Sequence, residues 1–459
     1  MKRRSFVKLT AAGTAYFASA QFLDSCKGQE EKSLKPNILL IITDQQHINT
    51  ISALGCKHIY TPAMDKLAAN GVSFLQSYSP NPVCSPARAS IFTGRTPSET
   101  GVYTNGQAIR KSIPHLGVWF TDQGGYEAIY SGKWHLPGYT VPEIPGFNTL
   151  ANGWSGPGAT LDSSVALACE SWLRNYNGEK PFIMVASFLQ PHDICEWLRM
   201  NETDKGCRYN AIKDQLPPLP DNFNFDFEES EMYSETRLRR EPAKGNWSEE
   251  HWRYYFWSYY RNVEMVDAEV ARLLRTLDET GFADNTIIVF TSDHGEGMGH
   301  HQTVRKSTVY DESAKVPLIL TWPGRINEGV VDSVQPVSGY DIMPTLCEAA
   351  GIPAPEKQVG LSLLPTAENS KKLDREFIAM EANNNKAQMI RSKNFKYAIF
   401  DNGDEYFFDM INDPGETVNL VLNEKYTEQL HHHRMLFKDW IAGLDVDPRV
   451  PNENRWDLD

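Results

Sequence analysis

Cys84 opens the run Val83-Cys84-Ser85-Pro86-Ala87-Arg88-Ala89-Ser90, which continues as Ile91-Phe92-Thr93-Gly94-Arg95. Proline suits a first helical turn and glycine a helix stop, so Pro86 and Gly94 predict a short helix with Cys84 just before it. Free N–H groups and the dipole at a helix start favour an anion, and a thiol placed there has a depressed pKa. Arg88 lies four residues on, about one turn further, where its guanidinium could reach the same anion through two hydrogen bonds. These residue types describe an anion site containing a nucleophile. For a cysteine taken alone, a buried free thiol beside an ordinary helix start is the alternative.

Other reactive residues stand where apolar runs end. Asn37–Thr43 is a continuous apolar run, the pattern of a strand buried on both faces of a parallel sheet, and it leads into Asp44-Gln45. Tyr126–Tyr130 leads to Ser131-Gly132-Lys133-Trp134-His135, Phe182–Phe188 to Pro191-His192-Asp193, and Thr286–Thr291 to Asp293-His294-Gly295-Glu296. Ligands of open α/β sheets bind beyond the carboxyl ends of the strands, so four such endings of different chemistry predict one shared site. Gly71–Ser77 and Val316–Leu320 are further strand candidates, and helices are expected at Leu161–Asn175 and from Trp252 to Leu277. Thr61-Pro62 predicts another helix, with Thr61 as N-cap and Pro62 at the first position. The alternation predicts an α/β fold: a mostly parallel, mixed central sheet with helices on both faces.

Two regions depart from that alternation. Glu196–Glu250 is polar, charged and interrupted by Leu216-Pro217-Pro218-Leu219-Pro220, with a basic patch at Arg237–Arg240, and predicts a long surface excursion. Beyond Thr366, Phe395–Phe400 and Glu405–Met410 flank the turn dipeptide Asn402-Gly403, and a helix is expected at Tyr426–Ile441. This predicts a smaller C-terminal α+β subdomain with an antiparallel sheet over 366–459, after a catalytic α/β domain over 36–365. His431-His432-His433 cannot share one helical face and is expected on a solvated surface.

The composition excludes several partners. Lys and Arg total 45 against 59 Asp and Glu in 459 residues, a net charge of −14, so a nucleic acid is not expected as partner. No apolar run approaches the ~20 residues of a membrane span, which predicts a soluble body. Seven cysteines are too few for a disulfide scaffold, and an odd count leaves a free thiol. Residues 1–35 are expected to be an address and tether. Lys2-Arg3-Arg4 precedes the short apolar stretch Ala11–Phe22, and Arg3-Arg4-Ser5-Phe6-Val7-Lys8 resembles a twin-arginine export signal. Leu23-Asp24-Ser25-Cys26 resembles a bacterial lipobox, which makes Cys26 a lipid-anchor candidate; a cleaved signal peptide without lipid is the alternative. The expected location is the periplasm or, lipid-anchored, the surface of a bacterial cell.

From Pro36 to Leu420 the chain resembles the type I, formylglycine-dependent sulfatases of the alkaline phosphatase superfamily. Cys84-Ser85-Pro86-Ala87-Arg88 matches their Cys-x-Pro-x-Arg signature, trailed by Thr93-Gly94-Arg95. Thr43-Asp44-Gln45-Gln46, Gly132-Lys133-Trp134-His135, Pro191-His192, Ser292-Asp293-His294-Gly295-Glu296 and Lys306 follow in family order. Phe408-Asp409-Met410, Asp413-Pro414 and Asn419-Leu420 resemble the family's C-terminal stretch. The resemblance implies that a maturation enzyme oxidises Cys84 to Cα-formylglycine. It also implies one Ca²⁺ held by Asp44, Gln45, residue 84, Asp293 and His294, and a sulfated saccharide as substrate, such as a glycosaminoglycan. One hydroxyl of the hydrated aldehyde would attack sulfur and the other, deprotonated by His135, would expel sulfate. Arg88 and Lys133 would hold hydrate and sulfate, while His192 and Lys306 would face the leaving oxygen, one of them as general acid.

Gln45 stands where many relatives have Asp and His294 where others have Asn. Each is either a metal ligand or a support for one, Gln45 through its amide and His294 through an orienting hydrogen bond. His47, His58, His115, His251, His300 and His301 match no role, although His300 and His301 follow Asp293 closely enough to border a cleft. A phosphonate or phosphate ester hydrolase on the same fold is one competing expectation. A non-catalytic lipoprotein that binds sulfated glycans is the other.

Overall fold

The computed structural model describes residues 35–137, 144–152, 157–201, 210–225, 227–231, 233, 247–369 and 371–451. The export segment, Cys26, the polar stretch up to Leu34 and the Arg237–Arg240 patch lie outside the described residues.

In chain order the strands are β1 (Asn37–Asp44), β2 (Val72–Phe74), β3 (Ser77–Tyr78), β4 (Glu127–Gly132), β5 (Asn148–Asn152), β6 (Phe182–Pro191), β7 (Thr286–Ser292), β8 (Leu318–Thr321), β9 (Val330–Asp332), β10 (Val337–Ser338), β11 (Phe377–Ala382), β12 (Ala387–Ser392), β13 (Phe395–Phe400) and β14 (Glu405–Asp409). Eight of them form the central sheet, ordered β5-β4-β6-β1-β7-β8-β2-β9. Five strands from β5 to β7 pair in parallel, and β8 turns antiparallel against both β7 and β2. The expected Gly71–Ser77 strand is split into β2 and the start of β3, which pairs with β10 instead.

Strand β1 shows why its run is apolar throughout. Ile38, Leu40 and Ile42 face one buried cluster, and Leu39 and Ile41 face the other. Helices α1 (Pro62–Ala69), α3 (Gly158–Asn175) and α5 (Glu249–Thr280) cover the second face, whereas α2 (Cys84–Thr93) and α7 (Ile342–Ala349) cover the first. Two shorter helices bear on the site, α4 (Ile194–Met200) and α6 (Asp311–Ala314). No described helix is long and apolar enough to cross a membrane.

Thr61 does precede α1, but its hydroxyl does not cap it: it donates to Asp65 Oδ1 at 3.1 Å and accepts from Ser52 N–H at 2.9 Å. The excursion after Glu196 is also less superficial than its polarity suggests. Leu216, Tyr233 and Trp247 are buried, and Tyr233 packs edge-on to Phe400 while its hydroxyl accepts from Val309 N–H at 2.8 Å.

Strands β11 to β14 form a separate antiparallel sheet in sequential order, with Gly403 at φ 88° in the β13–β14 turn. Helix α8 (Thr427–Gly443) packs on it through Leu430, His433 and Phe437, one face at helical spacing. His431 and His432 are exposed as expected. His433 is not: it is 3% exposed, with Nε2 2.8 Å from Ser392 Oγ and Nδ1 2.7 Å from Gln429 O.

Candidate active site

The sheet register brings the four polar endings together. In parallel pairing Asp44 of β1 lies opposite Pro191 of β6, Thr43 opposite Ser292 of β7, and Gly132 of β4 opposite Ser187 of β6. Asp44, His192, Asp293 and Lys133 therefore leave adjacent strands at one edge. Helix α2 brings Cys84 to the same place from the first face.

The helix does so differently from the spacing argument. It begins at Cys84 itself and ends at Gly94, φ 70°. Past Cys84 its first-turn N–H groups are not free for an anion: Ser85 N–H donates to Asn105 Oδ1 at 3.0 Å, Pro86 has none, and Ala87 N–H reaches Val83 O. Side chains supply the positive charge instead. Lys306 Nζ is 3.0 Å from Cys84 Sγ and His294 Nε2 3.3 Å, with Asp44 Oδ1 at 3.8 Å. Burial and Asp44 push the thiol pKa up, but Lys133, Lys306 and His294 together hold it well below its ordinary value.

Arg88 also departs from expectation. Fully buried, it bridges the two carboxylates, Nε to Asp293 Oδ2 at 3.0 Å and one terminal nitrogen to Asp44 Oδ2 at 3.1 Å. The other terminal nitrogen donates to Lys133 O at 2.8 Å and Ser187 Oγ at 2.7 Å. Its fork braces acidic groups rather than gripping an anion from solvent. Lys133 Nζ donates to Asp44 Oδ2 as well. Burial raises the Asp44 pKa, but Lys133, His192, Lys306 and Arg88 outweigh it and keep the carboxylate ionised.

The expected metal ligands converge. One ligand atom each from Asp44, Cys84, Asp293 and His294 all lie within 4.8 Å of one another. Gln45 Oε1 accepts from Lys306 Nζ at 2.9 Å, and the same ammonium lies 3.0 Å from His294 Nε2. His294 Nδ1 faces Gly295 O at 2.9 Å, which fixes the ring with Nε2 turned to the centre. Burial and the Asp44 charge push Asp293 upward, a strain that a divalent cation between two carboxylates would relieve. Two carboxylates, an amide oxygen and an imidazole nitrogen around one point fit such a cation, oxygen ligands predominating.

A profile of the sulfatase family matches residues 36–352, and one for the N-sulphoglucosamine sulphohydrolase C-terminal region matches 299–439. The chain belongs to the sulfatase family. It is 31% identical, over 93% of its length and 95% of the relative's, to a Delta 4,5-hexuronate-2-O-sulfatase of Bacteroides thetaiotaomicron. An ulvan-active sulfatase of Formosa agariphila is 29% identical, with 90% and 84% covered. A solved 2-O GAG sulfatase superposes with a TM-score of 0.78 at 28% identity, covering 92% of this chain and 98% of that one. The protein is thus a sulfuric ester hydrolase, of a family that in general uses a metal and a formylglycine.

The remaining expected residues of this sulfatase surround residue 84. His192 lies within electrostatic reach of Asp44, Lys306 and Lys133; burial lowers its pKa to about 4, and its ring has no hydrogen bond to the described residues. His135 sits at φ 59°, with its carbonyl accepting from Ser85 Oγ at 2.5 Å. His115 and His251 are buried away from the cluster, the first stacked on Phe147 and the second beside Trp247. His301 is buried too, bonded to Glu312 at 2.7 Å, so of the two late histidines only His300 borders open space.

Sequence reasoning gave Glu296 no role, and the structure makes it the support of Gln45. Its carboxylate accepts from Gln45 Nε2, Tyr255 Oη and Arg305 N–H, which turns Gln45 Oε1 toward Lys306. Tyr259, one turn beyond Tyr255 on α5, donates to Gln45 O at 2.6 Å. The available signal was two tyrosines at i, i+4 on a buried helix face, since a buried hydroxyl needs a partner. Cys195 Sγ, on α4, also touches Gln45 Nε2 at 3.5 Å. Asp162 was missed as well: its carboxylate accepts Leu189 N–H at 2.7 Å and Gln190 N–H at 2.8 Å, fixing the backbone that ends in His192.

Proposed function

We propose that this sulfatase hydrolyses sulfate esters of a sulfated saccharide, with Cys84 matured to formylglycine and Ca²⁺ held by Asp44, Gln45, Asp293, His294 and residue 84. The observation that carries this reading is the meeting of Cys84, two buried carboxylates and His294 within 4.8 Å, with the Lys306 ammonium 3.0 Å from Sγ. Sγ stands where an oxygen of the hydrated aldehyde would be. Calcium bound there would polarise sulfate oxygens and acidify that hydroxyl.

The chain's own residues supply the rest. A sulfate ester spreads one negative charge over its oxygens, so positioning and charge stabilisation dominate its transfer, as for phosphoryl groups. Lys306 presents a fixed positive charge to the group at residue 84, raised in pKa against burial by Cys84 and Asp44. Arg88 holds Asp44 and Asp293 at a set separation. His192 is left with a ring for the leaving oxygen, and His135 takes the proton of the second hydroxyl. The names of the relatives, one acting on a hexuronate 2-O-sulfate and others on ulvan, support an anionic polysaccharide fragment as substrate. The Lys2-Arg3-Arg4 start and the Leu23–Cys26 stretch support export, with lipid at Cys26, to the bacterial periplasm or cell surface.

Protein co-produced with a formylglycine-generating enzyme should be lighter by about 18 Da at residue 84, a simple covalent difference. It should release sulfate from an aryl sulfate and from some members of a panel of sulfated saccharides, and lose that activity on chelation. Fully converted, calcium-loaded protein that releases sulfate from no ester would overturn the reading.

A further inference from the structure

A cavity of about 720 Å³ is lined in part by His47, whose N–H donates at 2.8 Å to the Tyr259 hydroxyl that itself donates to Gln45 O. His47 and His300 line it; Asp44, Cys84, Lys133, His135, His192 and Lys306 do not. It is therefore distinct from the sulfate-facing cluster, and its size is that of a small-ligand site.

Its polar wall is a pair of parallel imidazoles, ring centres 5.5 Å apart and planes 13° from coplanar. Their tautomers follow from their neighbours. His47 Nδ1 accepts from Asn49 N–H at 3.0 Å, so the neutral ring carries its proton on Nε2. Asn222 Nδ2 donates to Gly415 O at 2.9 Å, which turns its Oδ1 to His300 Nδ1 at 2.5 Å. His300 thus donates from Nδ1 and keeps a lone pair on Nε2. Burial lowers His300 below its ordinary value. Neither Nε2 has a hydrogen-bond partner among the described residues. The cavity thus offers one donor and one acceptor side by side.

The ionic groups around it are mostly spent. Lys315 pairs with Asp311 at 3.5 Å, Glu312 with His301 at 2.7 Å, and Arg391 Nε donates to Tyr78 Oη at 2.9 Å. Asp413 accepts from Thr417 N–H, Thr417 Oγ1 and Val418 N–H. Asp221, on the same lining, has no such partner among the described residues and adds a negative charge. Arg391 has no carboxylate partner, but its nitrogens already donate to Tyr78 Oη, Ser392 O and Gln76 Oε1, and the lining sets four carboxylates, Asp221, Asp311, Glu312 and Asp413, against two cations, Lys315 and Arg391, which disfavours an anion. Phe256, Met298 and Leu219 supply apolar surface.

We propose that this cavity binds an uncharged sugar residue. A hydroxyl both donates and accepts, so neighbouring sugar hydroxyls match His47 Nε2–H and His300 Nε2, while the C–H face of the ring packs on Phe256 and Met298. The choice of ligand class rests on the sulfated-saccharide reading above. The sugar is either a neutral neighbour of the sulfated unit in the same chain or part of a separate saccharide.

Calorimetric titration of the full chain with unsulfated lactose, cellobiose and N-acetyllactosamine tests this. At least one should bind saturably, inorganic sulfate should not compete, and sodium glucuronate should bind more weakly. Asn49→Trp, at an exposed position whose backbone N–H is retained, should block the cavity and abolish binding. His300→Phe keeps the stacked ring, removes the acceptor and should weaken binding about tenfold. The sources are told apart by turnover: if the neutral sugar belongs to the substrate, both variants lower the ratio of kcat/KM for a sulfated disaccharide to that for an aryl sulfate. If only free-disaccharide affinity falls, the saccharide is separate. No saturation by any of the three up to about 50 mM, or binding that sulfate displaces or that neither variant weakens, would overturn the proposal. Failure of the sulfatase reading shows separately, as wild-type protein that releases no sulfate.

Discussion

Around residue 84, three cations, Arg88, Lys133 and Lys306, meet two carboxylates, Asp44 and Asp293, and Lys306 points at a thiol, an amide oxygen and an imidazole. Around Lys396 the arrangement is reversed. That fully buried ammonium lies 2.5 Å from Asp311 Oδ1, 2.6 Å from Glu416 Oε1 and 3.1 Å from Val309 O, each donor spent on protein. Glu416 Oε2 accepts Asp311 N–H at 2.7 Å, and His301 joins Glu312 to the Glu416 carbonyl. Both clusters bury charge, yet only in the first is an ammonium directed at a thiol and an imidazole. Buried charge that is fully paired fixes a structure; buried charge left facing a nucleophile makes a site. The two are also connected, because Glu312 O and Ser313 O of α6 accept the N–H groups of Glu296 and Gly295, just past Asp293 and His294.

Cys84→Ala is the sharpest way to separate the clusters. Turnover should fall more than about a thousandfold if residue 84 carries the nucleophile as proposed, while the thermal midpoint moves by only a few degrees. Sulfate-release assays and a melting curve check both halves. A variant that retains activity, or fails to fold, would erase the distinction. Lys396→Met should do the opposite. It leaves Asp311 and Glu416 facing each other in a dry interior and should cost about 3–5 kcal/mol in urea unfolding. Adding Glu416→Gln should recover part of that loss. A cost below about 1 kcal/mol would mean that the second cluster is not the clamp its geometry describes.

How much of this was legible depends on whether one segment or several set the outcome. Strand β1 could be read from its own residues, because a strand covered on both faces has no polar position until it ends, and Asp44 marks that end. The four endings could be read one by one, and parallel pairing then brought them together. The partners of Arg88 could not be read, because Asp44, Lys133 O, Ser187 and Asp293 lie up to 205 residues away, and helical spacing says nothing about them. His433 was misplaced for a similar reason: the triplet looks polar, but its burial follows from the Leu430–Phe437 face meeting a sheet whose position the triplet does not encode. The Gln45–Glu296 pair needed the loop after β7 to fold back onto the end of β1.

That pair gives the next test. Glu296→Gln keeps shape but removes the charge that orients the Gln45 amide, so Gln45 Oε1 is no longer held toward the cation site. Calcium affinity, read from calcium-induced thermal stabilisation, should fall about 10–100-fold, the usual effect of losing an outer hydrogen bond to a ligand. Unchanged affinity would leave Gln45 a bystander, and the first cluster would shrink to Asp44, Asp293, His294 and residue 84.

Glu381 poses the smallest and most discriminating case, since it is a buried carboxylate outside both clusters. It lies on β11, accepts from Ser98 N–H at 2.9 Å and Ser98 Oγ at 2.7 Å, and its second oxygen has no partner among the described residues. Burial, helped by the Glu99 charge, raises its pKa from 4.5 to about 7. The folded protein therefore holds a proton that the unfolded chain releases as pH rises from 4.5 to 7. Stability conferred below pH 4.5 is lost progressively across that window, and the slope vanishes above it. Glu381→Gln removes the titration, so the variant should gain on wild type by roughly 1–2 kcal/mol between about pH 5 and pH 6.5. Urea unfolding at four pH values across that range measures the gain. A pH-independent difference would mean that Glu381 is ionised and has found a cation, in which case the contrast between paired and directed charge would have to admit a third arrangement in the same fold.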